Sequence, residues 1–267
     1  SPIDSTEGSW VAMTFDDQGR LITSDQYGSL FRLEIPPIGS PDSIPPKVEK
    51  LDLNIGRAQG LLWAFNSLYV MVNNYTPDNL DEMDEDAFKV RSGLYRVTDS
   101  DGDGELDHIE QLMVMKGHGE HGPHSIILAP DGNSLFVVAG NHTDVVEMDY
   151  YRLPKNWDED NILPRIVDPR GHANHRMAPG GWVAQVDPDG EVWTLHAAGL
   201  RNTYDIAFNE SGDLFAYDSD MEWDLGLPWY RPTRICHMVS GGEFGWRTGN
   251  GKFSPAWPDN LPAVTNL

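Results

Sequence analysis

The sequence predicts an all-β protein built as a β-propeller, and two observations carry this prediction. Apolar residues recur with a period of two almost everywhere, with Gly, Asp, Asn and Pro between the runs, which is typical of strands and turns. A two-part unit, a hairpin followed by a further strand, recurs four times along the 267 residues. Because a four-stranded propeller blade needs about 40–50 residues, we expect about four blades here, belonging to a larger propeller of six or seven.

The four hairpins share one order: an apolar strand, a turn and a second apolar strand. Their sequences are VAMTFDDQGRLITSD, GLLWAFNSLYVMVN, SIILAPDGNSLFVVAG and YDIAFNESGDLFAYD, and the strands that follow them are GSLFRL, SGLYRV, GWVAQV and TRICHMV. A β-sandwich with similar hairpins is the alternative, but the repeated order of hairpin, loop and strand favours the propeller. We therefore expect a single, incomplete propeller domain over 1–267, with an irregular insertion at about 150–180.

The composition narrows the classes of partner. With 19 basic and 42 acidic residues, the chain has a formal net charge of −23. This charge repels phosphate backbones and anionic membranes, so nucleic-acid binding is not expected. The single cysteine excludes an internal disulfide, the chain has no CxxCH signature for covalent haem, and no apolar run approaches the ~18 residues of a membrane span. We expect a cation-binding protein in a periplasmic or secreted location.

The stretch DSDGDGELDHIE predicts a calcium-binding loop. Its oxygen donors have the spacing of an EF-hand loop, with Gly104 at the sharp turn. The predicted ligands are the carboxylates of Asp99, Asp101, Asp103, Asp107 and Glu110 and the backbone carbonyl of Glu105. The preceding SGLYRV alternates like a strand, so we expect the loop to join two strands of a blade around a structural Ca²⁺. The alternative is a solvated acidic turn, because Asp and Gly also form turns.

Three histidines follow in KGHGEHGPHSIILAPDG, namely His118, His121 and His124. A three-His metal site needs a helical turn to bring them together, and the glycines and Pro123 between them disfavour a helix. His124 opens a strand, where propeller side chains enter the central channel. It is therefore a candidate general base. The alternative is a hydrogen-bonded channel histidine without chemistry.

Arg201 and Asn202 precede the first strand of the next hairpin, the same topological place as His124 one blade earlier. We expect these side chains to converge in one polar pocket at the channel mouth, with Asp218 and Asp220 at its rim. Oxidising an alcohol needs a base for the hydroxyl proton and a fixed positive charge beside the developing negative charge, and His and Arg suit these roles. A His124 sealed in the core against a backbone carbonyl would instead favour a binding module.

A second acidic cluster lies in DSDMEWD. Its members are Asp218, Asp220, Glu222 and Asp224. Two interpretations stay open: a second cation site, or a structural cluster neutralised by Arg231 and Arg234.

These motifs resemble two families. HSIILAPDGNSLFVVAGN, GLRNTYDIAFNESGDLFAYDSD and RICHMVSGGEFGWR are similar to the glucose/sorbosone dehydrogenase propellers, in which a strand-opening His before PDG, a GxRN motif and a GGxxGW turn occur in this order. GLYRVTDSDGDGELD, EHGPH, MAPGGW, DMEWD and PWYRPTR resemble the planctomycete-type membrane-bound dehydrogenases that carry a haem-binding domain. The resemblance covers nearly the whole chain from about Gly8.

The resemblance implies a module that oxidises a sugar-like alcohol or aldose and passes electrons to a cytochrome-c-like haem domain or protein. It implies Ca²⁺ and pyrroloquinoline quinone as cofactors, and it assigns proton abstraction to His124. The cofactor pocket that it implies contains Asn141, Arg201, Asn202, Asp218 and Asp220. This chain departs from the sugar dehydrogenases at their calcium-and-cofactor motif, which DSDMEWD replaces. The competing hypothesis is a non-catalytic, calcium-stabilised propeller that binds a glycan or a protein.

Overall fold

The computed structural model describes residues 8–26, 28–75, 89–155, 176–224, 226–246, 251–254 and 259–267. The chain divides into two compact units, Ser1–Val114 and Met115–Leu267. Most of the predicted insertion at about 150–180 falls outside the described residues. Within the described ranges, the strands form four sheets, and the helical structure is one 3-10 turn at Gly119–His121.

The first unit contains two four-stranded antiparallel sheets, ordered β1-β2-β3-β4 and β5-β6-β7-β8. Their strands are β1 Trp10–Phe15, β2 Leu21–Asp25, β3 Leu30–Glu34, β4 Lys47–Lys50, β5 Ala58–Ala64, β6 Ser67–Val72, β7 Gly93–Thr98 and β8 His108–Val114. Phe65 and Asn66 join β5 to β6 with φ of 50° and 53°, a two-residue turn whose twist matches that of the strands. The buried faces of both sheets share one core, which includes Ile22, Leu61 and Val70.

The second unit contains the other two sheets. The third has β9 Pro123–Leu128, β10 Leu135–Ala139, β12 Gly181–Val186 and β13 Trp193–Leu200, with the short β11 Tyr150–Tyr151 and β17 Gly242–Glu243 added parallel to β13. The fourth has β14 Asp205–Phe208, β15 Leu214–Asp218, β16 Arg234–His237 and β18 Thr265–Asn266. Phe136, Val183 and Ile206 belong to the core shared by the two sheets.

The predicted fold class is confirmed. Each predicted hairpin and its following strand forms three neighbouring strands of one sheet, and the outer strands β4, β8, β13 and β18 complete four blades of a β-propeller. In the described part of the chain, no helix is long and apolar enough to cross a membrane.

The strand directions of the second unit bring four functional segments to one end. β9 begins beside His124, β13 runs up to Leu200 immediately before Arg201, β15 ends at Asp218, and β16 begins at Arg234. Asp218 and Arg234 lie directly opposite each other in the antiparallel pairing of β15 with β16. A polar site is therefore assembled from strand ends, which the sheets hold rigidly.

Candidate functional site

The predicted calcium loop joins β7 to β8 and gathers three of its carboxylates. Oxygen atoms of Asp99, Asp101 and Asp103 lie within 4.8 Å of one another. The Asp99 carboxylate accepts hydrogen bonds from the backbone N–H groups of Gly102 and Gly104, both at 2.7 Å. The bond from Gly104 is the main reason why the pKa of Asp99 is lowered. Three converging carboxylates on a turn fit the oxygen ligands that Ca²⁺ prefers.

The remaining predicted ligands point elsewhere in this structure. Asp107 accepts hydrogen bonds from the backbone N–H and the hydroxyl of Ser100, at 2.8 and 2.7 Å. Glu110 pairs with Arg96 at 2.7 Å, because it sits within β8 opposite that residue. In an EF-hand this position lies in the first turn of the following helix, where the Glu faces the ion, whereas here a strand presents it to its cross-strand neighbour. Asp107 and Glu110 are therefore not gathered with Asp99, Asp101 and Asp103 in this structure, and their assignment as ligands stays a prediction.

Arg32 ties the calcium loop to the first sheet. The Arg32 side chain is 5% exposed and pairs with Glu105 of the loop at 2.6 Å and with Glu49 of β4 at 2.9 Å. It also donates to the backbone carbonyl of Gly104 at 3.3 Å. The Glu105 carboxylate is therefore engaged by Arg32, and the predicted calcium ligand from this residue is its backbone carbonyl.

In the second unit, the predicted active-site residues do come together. The Oδ1 atom of Asn202 lies 2.8 Å from Nε2 of His124, although 78 residues separate them in sequence. The backbone N–H of Asn141 donates to the carbonyl of Arg201 at 2.8 Å. We define the polar cluster by six residues: His124, Asn141, Arg201, Asn202, Asp218 and Arg234. Its members from the third and fourth sheets meet at the strand ends, as their topology predicts.

One backbone carbonyl fixes the tautomer of His124. The carbonyl of Glu120 accepts a hydrogen bond from Nδ2 of Asn202 at 3.0 Å, so the amide oxygen of Asn202 must face the imidazole. Nε2 of His124 is within 3.0 Å of the Glu120 carbonyl and 2.8 Å of that amide oxygen. Two acceptors at one nitrogen require that Nε2 carries the proton. Nδ1 is then the unprotonated nitrogen; it is buried and has no hydrogen-bond partner among the described residues.

His124 is enclosed rather than open to a channel. The residue is 3% exposed, and its ring packs beside that of Tyr204 with centroids 5.3 Å apart. Burial lowers the pKa of His124, and the hydrogen bonds to Asn202 and Glu120 oppose that shift. The imidazole is therefore neutral near pH 7. The side chains of His124 and Asn202 thus meet as expected for a polar pocket at the channel mouth, and the carbonyl of Glu120, in the 3-10 turn at Gly119–His121, lies against the imidazole.

Asp218 is a buried member of the polar cluster and does not lie at a solvent-exposed rim. Its residue is fully buried, and its carboxylate accepts from the backbone N–H groups of Arg201 and Asn202. It also accepts from Nε and a terminal nitrogen of Arg234, at 3.0 and 2.8 Å. These donors surround both of its oxygens, so in this structure Asp218 supports the backbone of residues 201 and 202.

The second acidic cluster is neutralised by cations. Arg201 pairs with Glu222 at 2.8 Å and lies 3.8 Å from Asp220. The other members pair as follows: Asp218 with Arg234, and Asp224 with Arg231 and Lys252. Among the described residues, the one group of three or more side chains placed to hold a metal is Asp99, Asp101 and Asp103. Among the described residues, neither the DSDMEWD motif nor the three histidines gather such a group.

Asn141 of the polar cluster also contacts His121, the last residue of the 3-10 turn. Oδ1 of Asn141 is 2.6 Å from Nδ1 of His121, and the His121 ring lies against that of His142 with centroids 4.6 Å apart. Nδ2 of Asn141 is buried without a hydrogen-bond partner in the described structure. A Cβ on Gly140 would meet the His121 carbonyl at 2.5 Å and Oδ1 of Asn202 at 2.7 Å. Only glycine allows this close approach.

Sequence reasoning missed three parts of this site. They are the Glu120 carbonyl, the hub formed by Arg234, and the packing of the GGEFGW turn against GLRN. In that packing, the N–H groups of Phe244 and Trp246 donate to the carbonyls of Ala198 and Gly199, both at 2.9 Å. The two glycine-rich motifs were the available signal, since a Cβ on Gly199 would collide with Glu243 and Phe244.

Solved structures of other proteins share the fold of this chain, whereas sequence comparisons find no match. No protein-family model and no curated protein sequence matches the chain. The chain is similar to the PQQ-bound aldose sugar dehydrogenase of Streptomyces coelicolor, with a TM-score of 0.60 and 14% identity over 97% of this chain and 68% of that protein.

Two further solved structures are similar. A candidate glucose dehydrogenase of Thermus thermophilus matches with a TM-score of 0.59 and 15% identity, over 100% of this chain and 72% of that one. A carbohydrate-active enzyme of family AA12 from Trichoderma reesei matches at 0.57 and 13%, over 89% and 55% of the two chains. The chain therefore shares the propeller fold of sugar dehydrogenases.

The polar cluster does not by itself fit an anionic quinone. Pyrroloquinoline quinone carries carboxylates and needs cationic partners. The guanidinium of Arg201 is 5% exposed and already bonded to Ser219 and Glu222, and that of Arg234 is engaged by Asp218. Three carboxylates thus surround two guanidinium groups, and no spare cationic side chain lies in the described part of the cluster. We derive no reaction step through the quinone.

Proposed function

We propose that the chain contributes four blades to a six- or seven-bladed propeller in an extracytoplasmic oxidoreductase that acts on a sugar-like alcohol or aldose. The observation that supports it is the direct contact between His124 and Asn202, which follows Arg201 in the chain, on a propeller of the sugar-dehydrogenase type. A base, an amide and a fixed cation are the groups that alcohol oxidation needs at one point.

In this proposal His124 accepts the substrate hydroxyl proton. Its neutral state near pH 7 suits a base, but the proton on Nε2 is held by the Glu120 carbonyl. Productive binding therefore requires the turn at Gly119–His121 to move, so that a substrate hydroxyl replaces that carbonyl. The tautomer with its proton on Nδ1 then offers the Nε2 lone pair, and Asn202 orients the hydroxyl.

The resemblance supplies the rest of the proposal. Oxidation of the alcohol also releases a hydride from its carbon, which a two-electron acceptor bound outside the polar cluster would take up. Its electrons would then pass one at a time to a haem carried by a cytochrome-c-like domain or a separate protein, as the resemblance to the planctomycete-type dehydrogenases implies. Ca²⁺ on Asp99, Asp101 and Asp103 has a structural role, because these residues lie in a loop between two strands of one blade.

The second candidate function is a non-catalytic propeller that binds a glycan or a protein. Two observations favour it: His124 is sealed against a backbone carbonyl, and the charge of Arg201 is already paired. In this case the polar cluster is a structural core of the blade junction, without a reacting substrate.

One experiment separates the candidates. The complete native protein is analysed by absorbance and mass spectrometry for haem and quinone, and then assayed for aldose- and polyol-dependent reduction of a dye acceptor. His124→Gln is expected to abolish turnover. His196→Gln is the matched control, because that partly buried histidine bonds the Met238 carbonyl at 2.8 Å and lies outside the cluster. Absence of turnover with every sugar tested, or equal activity in both variants, would give first place to the binding module.

A further inference from the structure

A single buried carboxylate holds the backbone of the GLRN segment. Asp218 accepts the N–H of Asn202 at 2.9 Å and that of Arg201 at 3.1 Å. The hydroxyl of Thr203 adds a third donor at 3.2 Å. A carboxylate that accepts several N–H groups in the interior fixes their geometry strongly, because charge-assisted hydrogen bonds strengthen where water is excluded.

Arg234 holds that carboxylate in turn and connects it to two other segments. Besides its two bonds to Asp218, it donates to the carbonyl of Phe244 at 2.9 Å and to that of Gly199 at 3.3 Å. Its guanidinium carbon lies 3.5 Å from the ring centroid of Phe253. One planar group thus binds the start of GLRN, the end of β15 and the GGEFGW turn, a geometry that the five donors of Arg allow and Lys does not.

We propose that Asp218 and Arg234 form a positioning pair that sets where Asn202 and Arg201 stand relative to His124. The pair touches no substrate; it acts through the backbone N–H groups of residues 201 and 202. This inference rests on the proposed function for its catalytic meaning, while the positioning itself concerns only the folded protein.

The chain contains its own control for a purely structural effect. Asp224 is also fully buried; it accepts the backbone N–H of Lys252 at 3.1 Å and pairs with Arg231 at 3.3 Å. It has the burial and the pairing of Asp218 but bonds to neither Arg201 nor Asn202. Neutralising Asp224 therefore disturbs the same unit without releasing the GLRN backbone.

The test compares Asp218→Asn with Asp224→Asn by nuclear magnetic resonance. In Asp218→Asn, amide hydrogen exchange at residues 201 and 202 is expected to speed up about tenfold. This factor corresponds to the free energy that one hydrogen bond to a charged group contributes. The titration midpoint of the His124 imidazole is expected to fall, since loss of the Asn202 contact leaves only the contact with Glu120 to oppose the effect of burial. Asp224→Asn should leave both measurements at their wild-type values.

Two results would overturn the proposal. One is wild-type exchange and titration in Asp218→Asn; the other is an equal change in Asp224→Asn. If Asp218→Asn does not fold, the double variant Asp218→Asn with Arg234→Gln removes both charges together, and the same two measurements decide. Neither measurement needs turnover, so failure of the sugar-oxidation assay counts against the proposed function alone.

Discussion

The calcium loop and the polar cluster place their charges in opposite ways. Asp99, Asp101 and Asp103 are neighbours in sequence, half-buried or exposed, and their oxygens converge because one turn brings them together. Asp218 and Arg234 are distant in sequence, almost fully buried, and paired because two strands meet in register. The loop thus gathers like charges, whereas the cluster is neutralised by its own arginines. We therefore expect added Ca²⁺ to stabilise the protein through the loop, and substitutions in the polar cluster to destabilise it.

The largest effect is expected from breaking the buried pair. Arg234→Met leaves the Asp218 carboxylate uncompensated in the interior, and the free energy of unfolding should fall by about 3–5 kcal/mol. Urea denaturation followed by tryptophan fluorescence measures it. At the calcium loop, Glu110→Gln removes the solvent-exposed partner of Arg96, and in calcium-free buffer it should cost less than about 0.5 kcal/mol. Equal losses in the two variants would contradict the contrast between the regions.

The next comparison is between the stability losses caused by replacing one glycine in each region with alanine. Gly199 (φ 87°) and Gly104 (φ 94°) both have left-handed backbone. A Cβ on Gly199 would collide with Glu243 and Phe244, whereas one on Gly104 would meet no described atom within 4 Å. Gly199→Ala should therefore cost about 3 kcal/mol of unfolding free energy, from strain and overpacking together, and Gly104→Ala only about 1 kcal/mol from strain. Thermal and urea unfolding measure both; a Gly104 variant as unstable as the Gly199 variant would show that the loop is tightly packed.

Calcium should stabilise the loop and leave the cluster unchanged. At a hundredfold excess over its dissociation constant, Ca²⁺ should add about 2.7 kcal/mol of stability, seen as a chelator-reversible rise in melting temperature. Asp101→Ala with Asp103→Ala should abolish the rise. The control is Asp42→Ala with Glu210→Ala, which removes two exposed carboxylates outside the loop. A melting curve that chelator does not move would mean that the loop is an acidic turn without a structural ion.

The histidines of the second unit and the calcium loop should lose their contributions to stability in different pH ranges. Burial lowers the pKa values of His124 and His196 below their usual value, about 6.5 in an unfolded chain. As pH falls through that range, the unfolded chain takes up protons that the folded chain does not, so stability is lost with acidification. Asp99 has a lowered pKa, so its contribution persists until pH falls through the carboxylate range.

Melting temperatures from pH 8 to 4 measure this separation. His196→Gln and His124→Gln should each flatten the decline near pH 6.5, and Asp99→Asn should change only the decline at lower pH. A wild-type melting temperature that is constant between pH 7.5 and 5.5 would show that the two histidines are not held neutral.

Features that depend on residues close together in sequence could be predicted, whereas features that depend on contacts between distant residues mostly could not. The period-two hairpins were identified because their pattern is local and their inner strands are buried. The outer strand β4, with sequence KVEK, carries no apolar alternation, and β18 has two residues, so neither has a readable signal. The meeting of His124 with Asn202 followed from equivalent places in successive blades. The enclosure of His124 did not, because it depends on the Glu120 carbonyl, and any residue at position 120 supplies one.

The pairing within the second acidic cluster shows the same limit. DSDMEWD and PWYRPTR offered several carboxylates and two arginines, and spacing alone left a cation site and a neutralised cluster equally open. The register of β15 against β16 decides between them, because it places Asp218 opposite Arg234. That register depends on the length of the intervening loop, which sequence pattern does not fix.

The smallest expected effect concerns Cys236, whose rate of labelling by a thiol reagent measures local opening of β16 next to the polar cluster. It lies two residues after Arg234 on β16, fully buried, and burial raises its pKa to about 12. Because the thiolate is the reactive form, the native protein should not react with a thiol reagent at pH 8 over minutes, while the denatured protein should react completely. Arg234→Met should raise the labelling rate by loosening the fourth sheet, since local opening exposes the thiol. Asp101→Ala with Asp103→Ala, in the other compact unit, is the control and should leave the rate unchanged. Rapid labelling of the wild type would show that β16 opens readily, and the rigid support assigned to Asp218 and Arg234 would then be wrong.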